Sequence, residues 1–167
     1  MPQNVLATVK GMEQHGFKLP SAHAGLIVDL GLKLPSDFDS QMLSKGTLLC
    51  SPEYPAPLIK RFMARVLIFK APLGVITKGD QVMVHSYMSK SPGKIAQLVS
   101  IVDAKQDNKV LKERPKSLKA GMVANIKISL TDKLCLEKLE NYFVLGRIIL
   151  RHENHTIAGG VITELLN

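Results

Sequence analysis

Side chains of a β-strand point to alternate faces, so a strand with one buried face reads as apolar and polar residues in turn. That rhythm, rather than a long helical one, runs through this chain. Phe62–Phe69 (FMARVLIF) is the strongest strand, and Ala71-Pro72-Leu73-Gly74 turns it. In Gln81–Met88, Val82, Val84 and Ser86 oppose Met83, His85 and Tyr87. Lys94–Val102 and Met122–Leu130 follow, and Leu134–Leu139 is short enough for a strand or one helical turn. The last stretch predicts a hairpin: a strand over 146–152, a polar turn Glu153-Asn154-His155, and a strand over 156–163. Gly159 and Gly160 lie where that second strand must bend or pack closely. About six strands at regular spacing over 62–167 predict an all-β fold with a closed antiparallel barrel.

The first third alternates less regularly. Val5–Met12 and Leu26–Leu34 read as strands, the second with Leu26, Val28, Leu30, Leu32 and Leu34 on one face. Pro35–Asp39 is a turn-rich break, and Lys45-Gly46 opens a third strand through Leu48 and Cys50. Pro52, Pro55 and Pro57 then stiffen the chain and remove donors from any ladder, which marks a boundary between residues 1–61 and 62–167.

Composition narrows the function. The hydrophobic content of 46% against 22% charged residues is that of a folded chain, not a disordered one. A net charge of +8 points to an anionic or acid-faced partner such as RNA, a ribosome or an acidic protein surface. With only 5% aromatic residues and no Trp, stacking of bases on an aromatic platform is disfavoured. Cys50 and Cys135 have no metal-ligand spacing and fit a reduced, cytoplasmic chain. No signal-peptide core and no run near ~18 apolar residues occurs, so no membrane partner is expected.

Two surfaces stand out. On the hairpin, Ile148 and Leu150 share one face while Arg147, Ile149 and Arg151 share the other. Such a mixture fits either a solvated strand surface or a docking face, since arginines around an apolar side chain are what interfaces favour. The run Lys105–Lys119 carries Lys105, Lys109, Lys112, Arg114, Lys116 and Lys119 against Asp107 and Glu113. It is either a solvated loop or a phosphate contact, stiffened by Pro115.

Catalytic chemistry is not encoded here. No Gly-rich cradle ending in Gly-Lys-Ser/Thr exists, and Asn108-Lys109 has Leu111 where a guanine-binding motif needs Asp. His152 and His155 flank the hairpin turn without a third ligand nearby, so no metal is expected. His85 reads as a half-buried structural residue, and no nucleophile turn is recognisable. The expectation is a non-enzyme.

The hairpin also carries a resemblance. Gly146-Arg147-x-x-x-Arg151, a polar turn, then Thr156-Ile157-Ala158-x-Gly160-Val161-Ile162 resembles the C-terminal hairpin of eukaryotic translational GTPases. That group holds elongation factor 1-alpha, the class II release factor and the ribosome-rescue GTPase that works with pelota. The ending Gly160-Val161-Ile162-Thr163-Glu164 looks most like the rescue branch. Arg61-Phe62-x-Ala64-Arg65-Val66-Leu67-Ile68-Phe69, Ile76-Thr77-Lys78-Gly79 and Arg114-Pro115-Lys116-Ser117-Leu118-Lys119-Ala120-Gly121 resemble further signatures of the C-terminal barrel, in the same order. Thr8-Val9-Lys10, Ala24-Gly25, Val28–Leu34, Gly46 and Leu49-Cys50-Ser51-Pro52 resemble the second half of the middle barrel. Leu26 stands where the family has Asp, Ser117 where it has Phe, and Ile148-Ile149 where it has a Phe-x pair.

The resemblance implies a Greek-key C-terminal barrel at 62–167, preceded at 1–61 by a partial β-barrel of the translation-factor type. It implies that the chain starts inside the middle barrel, with strand edges left unpaired. GTP and Mg would enter only through a GTPase domain absent from this chain, so no cofactor is expected. The implied role is ribosome rescue or termination, docking a tRNA-shaped protein, pelota-like or class I release factor-like, at the ribosome. Arg147, Ile149, Arg151 and His152 would carry that contact, with Arg114, Lys116 and Lys119 as a second partner or RNA contact. The alternatives are an elongation-type barrel that binds aminoacyl-tRNA, and a degenerate fragment with no independent function.

Overall fold

The computed structural model describes all residues except 72, 73, 105, 107, 108 and 167. The turn expected at Ala71–Gly74 therefore lies partly outside the described residues, as do Lys105, Asp107 and Asn108 of the basic run. The chain divides into two compact units, one of residues 1 and 3–55 and one of residues 2 and 56–167.

The larger unit is a closed barrel. Its strands are β4 (Leu58–Ile68), β6 (Gln81–Ser86), β7 (Ser89–Asp103), β10 (Val123–Cys135), β11 (Arg147–His152) and β12 (His155–Leu166). They pair in the order β10-β4-β12-β11-β6-β7, all antiparallel, and β10 pairs with β7 to close the ring. Alternation builds it. Phe62, Ala64, Val66 and Ile68 of β4 point inward and are buried, as are Val82 and Val84, Ile126 and Ile128, and Ile148 and Leu150. Each such Phe, Val, Ile or Leu side chain contributes ~1.5–3 kcal/mol on burial. Ser91, also buried, keeps its hydroxyl satisfied by donating to the Asp132 carbonyl (3.0 Å) and accepting from the Asp132 N–H (3.1 Å).

Several strands differ in extent from the pattern. β4 starts at Leu58, where Leu58 and Ile59 pair with Cys135 and Leu134 beyond a register shift. The hairpin turn is tighter than expected, because His155 belongs to β12 and only Glu153 and Asn154 remain in the turn. The described part of the basic run is not wholly loop. Residues 109–113 form β8 (Lys109–Glu113) along the end of β7, and β9 (Ser117–Leu118) pairs with β5 (Ile76–Thr77). β8 is exposed on both faces, so no apolar face announces it. Pro115 and Leu118 are buried between the exposed Arg114, Lys116 and Lys119.

The smaller unit is a three-stranded antiparallel sheet, β2-β1-β3, formed by β1 (Thr8–Gln14), β2 (Phe17–Leu19) and β3 (Asp29–Lys33). β1 and β2 are joined by His15-Gly16, both at positive φ (51° and 82°), the geometry of a type I′ hairpin turn. β1 lies later than the expected Val5–Met12, and β3 is shorter than the expected Leu26–Leu34. The third strand expected through Leu48 and Cys50 does not form. Leu48 exchanges two backbone hydrogen bonds with Met1, 2.8 and 2.9 Å, but no ladder extends from them. Among residues 1–55 none is buried.

Candidate partner-docking site

The hairpin β11–β12 is held on both sides, by β6 against β11 and by β4 against β12. Two glycines permit this packing. A Cβ on Gly160 would collide with the Arg65 carbonyl oxygen and with Val66 on β4. A Cβ on Gly146 would collide with the backbone of Leu139, because the segment before β11 folds back over the strand start. That segment is fixed by backbone hydrogen bonds from Gly146 to Tyr142 (2.9 Å), from Leu139 to Ile162 (3.1 Å) and from Ile162 to Gly146 (2.8 Å).

On this rigid wall Arg147 is exposed, Ile149 is 48% exposed and Arg151 half-buried. Arg147 and Arg151 lie about 13 Å apart along the strand at its usual rise per residue. The fold-back brings up Phe143, 59% exposed, and the Arg147 guanidinium stacks over its ring at 3.8 Å. Arg151 turns toward the hairpin tip, where a guanidinium N–H donates to the Asn154 carbonyl (3.0 Å) while its Nε is buried without a partner.

Strand register extends the apolar strip sideways. Ile149 lies opposite Gly159 on β12, and Gly159 lies opposite Leu67 on β4. The exposed Phe69 ring covers Gly159. On the other side Ile149 is opposite His85, which faces Lys90. Burial, then the charges of Arg151 and Lys90, lower the pKa of His85 from its ordinary 6.5, so it is neutral near pH 7. No described Asp or Glu occupies this row of paired residues.

His152 sits at the far end of the hairpin, its Nδ1 3.1 Å from the Gln81 carbonyl and its backbone opposite His155. It lines a shallow cleft with Ile76, Asp80, Gln81 and Ile157. Ile76 pairs with Leu118, so His152 and the Arg114–Lys119 segment belong to the same end of the barrel. Among the described residues no three His, Cys, Asp or Glu gather as a metal site.

The sequence pattern alone does not single out Phe143, Leu67 or Phe69. Leu67 and Phe69 had a signal: in β4 and just beyond it, the positions between the buried Phe62, Ala64, Val66 and Ile68 end in two large apolar side chains facing out. Phe143 had none, because its position depends on the fold-back at Gly146.

The family model described as GTP-eEF1A C-terminal domain-like matches residues 61–163. The chain belongs to this eEF1A C-terminal-domain family.

Relatives of this eEF1A-type chain lie on several branches. Protein HBS1 of Drosophila melanogaster is 27% identical over 95% of the chain, and elongation factor 1-alpha of Onchocerca volvulus 34% identical over 98%. The chain spans 23% and 34% of their lengths. A crystal structure of sup35 complexed with GDP superimposes with a TM-score of 0.87 at 25% identity, over all of this chain and 40% of that one. The eEF1A-type barrel here thus corresponds to the C-terminal barrel part of such proteins and not to their catalytic GTPase domain. Among the described residues no helix is long and apolar enough to cross a membrane.

Proposed function

We propose that this chain is a non-catalytic docking region of a translational GTPase of the rescue or release type. Its barrel receives a tRNA-shaped protein partner, pelota-like or class I release factor-like, at the ribosome in the cytoplasm. The observation that carries the reading is the outward face of β11, where the exposed Ile149 joins Leu67 and Phe69 and is flanked by Arg147 stacked on Phe143 and by Arg151. An apolar centre with aromatic and arginine neighbours, on a hairpin paired on both sides, is the composition of interface hot spots. Lys116, Lys119 and Arg114, with His152 at the same end, form a second contact toward the partner or RNA. GTP and magnesium belong to a nucleotide domain and not to these barrels.

Calorimetric titration of the folded chain with a pelota-type protein, and separately with aminoacyl-tRNA, tests this at low and moderate salt. Arg147→Ala/Ile149→Ala is expected to weaken protein binding by more than ~2 kcal/mol. Binding to tRNA alone, lost steeply with salt, would overturn the protein-docking reading in favour of an elongation-type barrel.

A further inference from the structure

Arg147 and Arg151 share one face of β11 and are held in different ways. Arg151 donates to the Asn154 carbonyl at the hairpin tip (3.0 Å). The Arg147 guanidinium lies over the Phe143 ring at 3.8 Å and, among the described residues, its side chain makes no hydrogen bond or ion pair. Stacking occupies the face of a guanidinium and leaves the in-plane N–H donors of its edge uncommitted.

Carboxylates lie close in sequence but are engaged elsewhere. Glu140 pairs with the Lys138 ammonium (3.2 Å). Glu137 accepts from the Asn141 side-chain amide (3.1 Å) and from the Lys138 backbone N–H (3.2 Å). The ring under Arg147 is set by its turn. Phe143 lies inside the loop that the Gly146 N–H closes on the Tyr142 carbonyl (2.9 Å), and the nearby Leu145 is buried. Phe143 itself is 59% exposed, so the ring serves the surface and not the core.

We infer, resting on the docking role proposed above for β11, that Phe143 is the positioning residue of that site and that Arg147 receives a carboxylate of the protein partner through two parallel N–H···O bonds. A stacked guanidinium has given up rotamer freedom before the partner arrives, so less entropy is lost on docking. Its planar fork matches the two oxygens of a carboxylate. An RNA phosphate accepts the same fork, but the neighbouring Ile149, Leu67 and Phe69 are exposed apolar groups that suit protein side chains rather than a phosphodiester backbone.

Calorimetric titration of the full chain with a pelota-type protein tests this. Phe143→Leu keeps apolar bulk without the π-face, and should weaken binding about fivefold. Phe143→Tyr keeps the face and should bind as the parent does. Arg147→Lys keeps the charge without the fork, and should weaken binding about tenfold. In NMR spectra of the free chain, the Arg147 Nε–H resonance should be shifted upfield by the ring current of Phe143 and return to its ordinary position in Phe143→Leu. Parent-like affinity in Phe143→Leu or Arg147→Lys, or equal losses in Phe143→Leu and Phe143→Tyr, would overturn the inference. If Arg147→Ala/Ile149→Ala still lost binding in that case, the docking reading would stand without it. Parent-like binding by that double variant, or no protein binding at all, would overturn both. Binding of aminoacyl-tRNA alone, weakened by Arg147→Lys, would assign the fork to phosphate and overturn the carboxylate.

Discussion

Residues 56–167 and residues 1–55 are built from the same material, antiparallel strands with apolar residues in alternation, and they reach opposite ends of the burial scale. The first region closes its sheet, so each barrel strand has two neighbours and one face turned away from water. The second leaves β2 and β3 as edges and buries none of its residues. Charge divides the same way: 18 basic and 9 acidic side chains lie in 56–167, against 4 and 5 in 1–55. Strand propensity is thus common to both regions, and closure is what turns it into a core. A closed barrel can also carry arginines and apolar groups outward, since its stability does not depend on that outer face.

The contrast breaks most sharply on phenylalanine. Phe62 is fully buried, so Phe62→Ala should cost ~3–5 kcal/mol in urea unfolding of the barrel. Phe17 is 75% exposed, and Phe17→Ala should change stability by less than about 0.5 kcal/mol by the same measurement. Glycine gives the next largest effect. Gly160→Ala forces a Cβ into the β4 backbone and should cost ~1–3 kcal/mol, whereas Gly11→Ala on β1 meets open space and should lie within about 0.5 kcal/mol of zero. Comparable losses at Gly11 and Gly160 would show that the small sheet is packed as tightly as the barrel.

Arg147→Ala sharpens the division between outer face and core. Only its stacking on Phe143 is lost, so thermal unfolding should register less than ~1 kcal/mol while partner affinity falls far more. The smallest effect belongs to His85. Its pKa in the fold lies below the ordinary 6.5, so the unfolded chain binds the proton more readily. Barrel stability should therefore decline as pH falls below about 6.5, and His85→Gln should remove that part of the decline. Stability that rises on acidification through this window, in a manner His85→Gln abolishes, would contradict the assigned sign.

What could be read from the sequence followed the same line. Strands β4, β6, β10 and β11 were legible because one face is buried and the alternation is strict. β8 was hidden by exposure of both faces, and β2 by its three-residue length and a His-Gly turn in place of the usual Asn-Gly. The stretch through Leu48 and Cys50 alternates without being a strand, since a pattern without a partner forms no ladder. At the candidate site, the outward set Arg147, Ile149 and Arg151 follows from period two alone. Phe143, and the turn-directed hydrogen bond of Arg151, come from the fold-back and the hairpin tip, which no periodicity encodes.

The pairing of β12 with β4 has a consequence for how the barrel is made. Met63 and Thr163, which share a hydrogen bond across these strands, are 100 residues apart. β4 thus waits for almost the whole barrel to be synthesised before it acquires its second neighbour, and closing so long a loop is slow relative to forming the hairpins within it. During that interval Phe62, Val66 and Ile68 lie beside an open edge. Removal of the last strand should therefore act less like trimming an end than like arresting the chain in this unfinished state, a species suited to chaperone capture.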